Sequence, residues 1–243
     1  MRSALKIALA ILCLGALASA QTAEELVAKN IQAHGGLEKI KAVNTIRMTG
    51  RIYVMGFYAA VGMEKKRNNL LRQTFTVQGM TQVQAYDGST GWQISPFGGR
   101  RDPEYMGEDD TRDLMEESDI DGPLVDYQAK GNKVEYLGHD TVDGDDVYKL
   151  KVTLKNGDVI YYYLDPDTYL EIRREKQQFI RGSVRETSED LGSYKAVAGV
   201  YYPYSIETSV KGDPSQHVVI TIDKIEVNVP IDDSDFKMPA TKK

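Results

Sequence analysis

Three histidines, one tryptophan and 36 acidic residues are the groups with which this chain of 243 residues would do chemistry. His34, His139 and His217 stand far apart, and no two have the spacing of metal ligands. Structural or surface roles fit all three. Gly88-Ser89-Thr90-Gly91 places a serine between glycines, but with the wrong spacing for a nucleophile elbow and inside a hairpin pattern, not a strand running into a helix. It reads as a turn. Asp119-Ile120-Asp121-Gly122 and Asp143-Gly144-Asp145-Asp146 lack the alternating ligands and distant Glu of a calcium loop, and turn chemistry explains both. No acid–base pair stands out among so many carboxylates. What remains is aromatic surface: 15 Tyr and Trp92, with Tyr161-Tyr162-Tyr163 consecutive. Aromatics favour strands in any case, so a β-sheet core accounts for them. The sharper reading is a lined cavity, left where two or three short helices cannot fill the inner face of a large sheet.

The elements that must position these groups are mostly strands. Between Val134 and Glu175, Asn156-Gly157 and Pro166-Asp167 each separate runs of Val, Ile, Leu, Tyr and Thr, the signature of successive hairpins. A two-residue turn at Asn156-Gly157 predicts Leu154 opposite Val159, Val152 opposite Tyr161 and Leu150 opposite Tyr163. The second turn then sets Leu170 against Tyr163 and Ile172 against Tyr161, adding to the same apolar face. Lys149, Lys151, Thr153, Glu171 and Arg173 take the other face, with Ile160, Tyr162 and Leu164 among them.

Earlier in the chain, Thr22 and Glu25 form a capping-box pattern, and Leu26, Val27, Ile31 and Ala33 the stripe of a helix ending at Gly35-Gly36. Leu37, Ile40 and Val43 mark a second short helix. From Thr45 the period changes to two, and strands follow near Tyr58–Lys66, Leu70–Gln78, Met80–Tyr86 and Gly91–Ile94. Ser95 to Tyr127 breaks this rhythm, with a helix expected over Asp110–Ser118, capped by its own acidic residues. Later strands are expected near Gln177–Thr187, Tyr202–Val210 and His217–Val229, the last with a bulge near Asp223-Lys224 where the apolar parity slips. The pattern as a whole predicts a mainly β fold with helices: a strongly curved antiparallel sheet or open barrel, its helices packed on the concave side.

Arg2 and Lys6, the apolar run Ile7 to Leu17 and Ala18-Ser19-Ala20 make residues 1–20 a secretory signal peptide, leaving a single domain over 21–243. Cys13 falls inside that leader without the small residue that should precede a lipidated cysteine, so the mature chain has no cysteine and no lipid anchor. The net charge of −6 becomes −8 once Arg2 and Lys6 are lost, which argues against nucleic acid or anionic lipid headgroups as main partner.

Lys66-Arg67-Asn68-Asn69-Leu70 and Asp87-Gly88-Ser89-Thr90-Gly91-Trp92-Gln93-Ile94-Ser95-Pro96-Phe97 resemble two signatures of the periplasmic lipoprotein-sorting carriers, the LolA/LolB-like family. Ile231-Asp232-Asp233-Ser234-Asp235-Phe236-Lys237-Met238-Pro239 is similar to their C-terminal ending, and the order of elements fits along nearly the whole mature chain. Asn68 stands where the family has proline and Ser95 where it has asparagine. The resemblance implies an incomplete antiparallel barrel with a helical lid, whose apolar interior shelters lipoprotein acyl chains between the two membranes. It also implies that Arg67 reaches into the cavity and hydrogen-bonds the lid. Leu150, Val152, Tyr161, Tyr163 and Trp92 are the candidate cavity residues, with Leu114 and Met115 on the lid.

The function expected on this basis is that of a soluble, monomeric periplasmic carrier that binds acyl chains or another lipid noncovalently. It uses no cofactor or metal, performs no chemistry, and exchanges cargo with an inner-membrane release machinery and an outer-membrane acceptor. The alternatives are a lipid-sensing regulator on the same fold, an envelope hydrolase, and a structural β-protein with a solid core.

Overall fold

Thr22 caps the first helix as its spacing predicts. Its hydroxyl accepts from the Glu25 amide and the Glu25 carboxylate accepts from the Thr22 amide, both at 3.2 Å. In this computed structural model, which describes residues 21–99, 101–180 and 182–240, that helix is α1 (Ala23–Ala33) and leads into the short α2 (Leu37–Lys41). Between them Gly35 has φ +116°, and a Cβ there would meet the Gly199 carbonyl oxygen at 2.0 Å, so only glycine lets the helix end close on that backbone. The expected leader, residues 1–20 with Cys13, lies outside the described residues.

A meander follows: β1 (Thr45–Val54), β2 (Phe57–Lys66), β3 (Leu70–Val77), β4 (Met80–Asp87), β5 (Gly91–Ile94) and the two-residue β6 (Glu104–Tyr105). Next come α3 (Glu108–Glu117), a run of turns to Asn132, and a second meander of β7 (Lys133–Val142), β8 (Asp145–Thr153), β9 (Val159–Leu164), β10 (Glu171–Ile180) and β11 (Ser183–Gly192). A small ribbon of β12 (Lys195–Val197) and β13 (Val200–Tyr202) precedes β14 (Ser205–Val210) and the long β15 (Asp213–Val227). Thirteen strands among the described residues form one antiparallel sheet in the order β6-β5-β4-β3-β2-β1-β15-β14-β11-β10-β9-β8-β7. β15 thus joins the two meanders in the middle, and the sheet is an open, curved barrel with edges at β6 and β7, covered by helices. The bulge expected near Asp223 is present: the β1–β15 register passes from Thr49↔Lys224 to Gly50↔Ile222. The stretch Gln177–Thr187 is not one strand but the tip of the β10–β11 hairpin.

The hairpin after β8 corrects the predicted register. Its loop has three residues: Leu154 and Asp158 are the closing pair, with the Leu154 amide on the Asp158 carbonyl at 2.8 Å, while Gly157 adopts φ +95°. The Asn156 side chain accepts from the Asp158 amide at 3.0 Å and holds this longer turn. Every pair therefore shifts by one: Leu150 faces Tyr162, Val152 faces Ile160, Lys151 faces Tyr161 and Lys149 faces Tyr163. A one-residue slip moves the alternate residues to the opposite face. Tyr162 becomes the inward residue, and Tyr161 and Tyr163 pack outside with Val142, Val147 and Ile172. The next hairpin shifts likewise, with Arg173 on Tyr163 and Arg174 on Tyr162, after a bulge at Ile172.

Two clusters fill the part of the concave face under α1 and α2. Leu26 and Val27 of α1 pack on Leu150, Val152, Tyr162 and Leu164, and Ile40 and Val43 pack on Ile46, Ile222 and Ile225. Leu124 and Val125 of the turn run wedge into the two clusters.

Candidate functional site

The rest of the concave face lies under α3. Following register partners inward from Leu71, the same face carries Met63, Val61 and Phe75, then Ile52 and Val54, then Ile220, Val218 and Ile206. Ile52, Val54, Val61, Phe75, Val218 and Ile206 are only half-buried and belong to none of the five buried clusters among the described residues. An apolar strip with this much open surface, on the inside of a curved sheet, is a trough. At the hairpin tips that end it, Met55, Phe57, Tyr58, Met80, Phe179 and Val184 are exposed. A separate cleft of about 400 Å³, lined by Val27, Ile31, Leu124 and Tyr127, lies behind α1.

α3 reaches from β3–β5 on one side of the trough to β10 on the other. Leu114 is buried against Leu71 and Tyr86, whereas its neighbour Met115 points away and is 40% exposed. Beyond Leu114 the contacts are ionic. Lys65 of β2 donates to Glu117 at 2.6 Å, while across the trough Lys176 of β10 pairs with Glu116 and Asp113. Gln178 donates to Asp113 at 2.6 Å and Arg112 to the Phe179 carbonyl at 3.2 Å. Burial pushes the Glu116 carboxyl up, and Lys176 and Asn156 only partly offset it. Burial would push Glu117 up too, but Lys65, Arg174 and Lys176 outweigh it and hold its carboxyl below the usual range.

Arg67 fastens the segment after α3. Its guanidinium donates to both oxygens of Asp121, at 2.9 and 2.8 Å, and to the Ile40 and Lys41 carbonyls at 3.2 and 3.0 Å. Hydrogen bonding to Asp121 raises its pKa against the opposing effect of burial. The lid partner is thus a carboxylate, and the carbonyls it binds are those of α2. The turn carrying Arg67 also explains the missing proline: Asn68 sits at φ +72° and Asn69 at +58°, which a pyrrolidine ring fixed near −65° cannot reach.

The eight predicted site residues do not converge. Arg67 and Leu114 belong to the lid contact, and Met115 to the lid's outer side. Leu150 and Val152 are fully buried under α1, so they are core and not trough lining. Tyr161 and Tyr163 are on the outer face. Trp92 is also outside: β5 turns Gly91 toward Thr111 of α3, so Trp92 points the other way. There its indole N–H donates to the Phe236 carbonyl at 2.7 Å under the C-terminal strap. Lys65, Asp113, Glu117, Asp121, Arg174 and Lys176 were missed. Lys65 lies two residues before Arg67, just ahead of that motif, but the inward parity of Arg174 and Lys176 follows only from the corrected register.

At the end of α1, His34 Nε2 lies 2.6 Å from buried Glu171, and Nδ1 lies 2.9 Å from the Tyr201 carbonyl. Burial opposes charge on both. Their mutual attraction wins, raising the His34 pKa and bringing Glu171 down to about 2, with Arg174 also acting on Glu171. Both ring nitrogens face acceptors, so the imidazolium is the form that satisfies the site.

An open antiparallel barrel with a helix across its concave face defines the LolA/LolB-like architecture. The chain aligns with the LolA superfamily protein NE2245 from Nitrosomonas europaea over 90% of its own length and 98% of that chain, at TM-score 0.60 and 11% identity. It aligns with an outer membrane lipoprotein-sorting protein domain from Vibrio parahaemolyticus over 87% and 94%, at TM-score 0.57 and 10% identity. A DUF1329 family protein from Desulfovibrio piger gives 88% and 97%, at 0.59 and 13%. No family model matches the sequence, and no curated protein matches it. The fold is therefore LolA-like, as the three motifs predicted.

Proposed function

We propose that this chain is a soluble periplasmic carrier that shelters an acyl chain in the trough beneath α3. It receives its cargo from an inner-membrane release machinery and delivers it to an outer-membrane acceptor without covalent chemistry. The observation that supports this reading best is the half-buried apolar strip roofed by a helix that is held mainly through ion pairs. Ion pairs of this kind exchange for water at little cost, whereas the packed helices α1 and α2 do not. Each methylene buried gains about 0.8 kcal/mol, so a chain of roughly 16 carbons would offset about 12 kcal/mol of lid opening and ordering. The Arg67–Asp121 clasp then holds the lid when the trough is empty and lets go when chains enter.

The direct test is native mass spectrometry of protein purified from its own cell envelope, with lipid extraction. Co-purified acyl lipid, altered in amount by Arg67→Leu, supports the carrier. A clean unliganded mass from protein that also takes up no fluorescent fatty acid sinks it. Stable binding to one envelope protein that changes with lipid load, without transfer, would move the assignment to a regulator.

A further inference from the structure

The two ends of the sheet differ in what their turns carry. At the end where β2 turns into β3, the connections are polar or charged: Arg67-Asn68-Asn69, Asp87-Gly88-Ser89-Thr90, Asp143-Gly144 and Asp165-Pro166-Asp167-Thr168. Asp87 accepts from the Ser89 and Thr90 amides and Asp165 from the Thr168 amide, so these side chains build their turns. Strands alternate in direction, which brings the β1–β2, β3–β4 and β10–β11 tips to the opposite end, where the trough runs out. There the pattern inverts. Tyr53-Val54-Met55-Gly56-Phe57-Tyr58 and Val77-Gln78-Gly79-Met80 carry no charge, and the β10–β11 tip is flanked by the facing pair Phe179 and Val184. Met55 is 79% exposed, Tyr58 69%, Phe179 64% and Val184 63%. The β8–β9 turn at the same end, beyond the trough, stays polar, with Asn156 donating to Glu116.

Turn chemistry does not account for Met55. It sits at φ +49° and Gly56 at +87°, a two-residue turn whose first position favours Asn or Asp. A methionine there accepts a left-handed backbone without gaining packing in return. Beside it the Tyr53 and Tyr58 rings touch, with centroids 4.9 Å apart. Tyrosine at a protein surface suits the boundary between hydrocarbon and water, where the ring meets the acyl layer and the hydroxyl stays wet. Lys211 and Arg185 are exposed nearby, on stems long enough to lie along apolar surface while their charges reach outward. The nearby Asp213 carboxylate is taken up by Ser215 and Gln216.

We propose that this end of the sheet docks on a lipid bilayer, with Met55, Tyr58 and Phe179 as the anchors that enter its interface. β1 and β11 are three strand spacings apart, about 14 Å along the sheet, so the apolar tips stand at both sides of the trough's end. They are separate projections, with Gln78, Lys211 and Gly212 between them. A protein partner would need a continuous matching face, whereas a fluid bilayer closes around each tip by itself. The attraction is apolar and calls for no anionic lipid, in keeping with a net charge of −6. This goes beyond the carrier reading and does not depend on what the trough holds.

The test is flotation of the mature chain with phosphatidylcholine vesicles at low and high salt, and with vesicles containing added phosphatidylglycerol. Binding to the neutral vesicles that persists in high salt is expected. Met55→Asp suits the turn, and Tyr58→Ser and Phe179→Ser change exposed side chains, so thermal midpoints should hold while each variant weakens binding about tenfold. Leu137→Ser, at a 48% exposed position on β7, should bind as the native chain does. Failure to bind any vesicle overturns the proposal, as does binding that survives all three substitutions together. Binding only to phosphatidylglycerol vesicles, lost in high salt, replaces insertion by charge attraction and also overturns it. Variants that float as before but lose a co-purified envelope protein would assign the tips to a protein partner instead.

Discussion

The two halves of the concave face are covered in different ways. Under α1 and α2 the contacts are mainly apolar, with one buried ion pair at the end of α1: Leu26, Leu150, Val152 and Leu164 have no exposed surface at all. Under α3 one small cluster around Leu114 is apolar, and the remaining contacts are salt bridges and hydrogen bonds. Apolar packing loses its full value when a helix lifts, because the buried surface meets water. Partly exposed ion pairs lose little, because water replaces each partner. The same fold thus carries a permanent cover and a displaceable one, and local opening should concentrate in the second. Leu150→Ala should break the permanent half, costing about 2–5 kcal/mol in denaturant unfolding. A loss well under 1 kcal/mol would mean that α1 is no more firmly seated than the lid.

Next in size is the ionic lock within the permanent half. Replacing His34 by Leu leaves Glu171 buried without its nearest cation, for an expected loss of about 3 kcal/mol. The pH dependence has a defined sign. The His34 pKa is raised on folding, so its contribution is complete below about 6.5 and fades as pH rises through the folded value. Glu171 is depressed to about 2, so its contribution is present above roughly 4.3 and fades as pH falls toward 2. Thermal midpoints should therefore decline on the alkaline side in the native chain and stay flat there in His34→Gln. An identical alkaline decline in both would remove the imidazolium from the account.

How much of this was legible beforehand depends on what each inference needed. The capping box at Thr22, the Asp223 bulge and the strands of the first meander rest on local patterns, and all are present. The three motifs led to the LolA-like fold because they report turns and a strap that the fold requires. The site was less legible. One extra residue in the Asn156-Gly157 loop reversed the faces of Tyr161, Tyr162 and Tyr163, and with them the inward row of β10. Trp92 looked like a cavity aromatic because its burial was foreseeable, but not which side was buried. A side chain's face is a property of register, and register depends on turn geometry that composition does not specify.

The lid offers a smaller and sharper test. Glu116 and Glu117 are adjacent on α3, yet folding moves their carboxyls in opposite directions. At neutral pH the raised Glu116 costs stability as an anion, and the depressed Glu117 contributes it. Hydrogen exchange across α3 should therefore quicken in Glu117→Gln and hold steady or slow in Glu116→Gln, while α1 amides are unchanged in both. Exchange that quickens equally in the two variants would show that the lid senses only net charge.

The smallest effect expected is also on α3. Met115→Ser should change global stability by no more than about 0.5 kcal/mol, since the side chain lies outside the lid contact. Leu114→Ser, one residue away, places a hydroxyl against Leu71 and Tyr86 and should open the lid measurably faster. If Met115→Ser were the more disruptive of the two, α3 would be docked through the other side. The trough beneath it would then not be the covered surface.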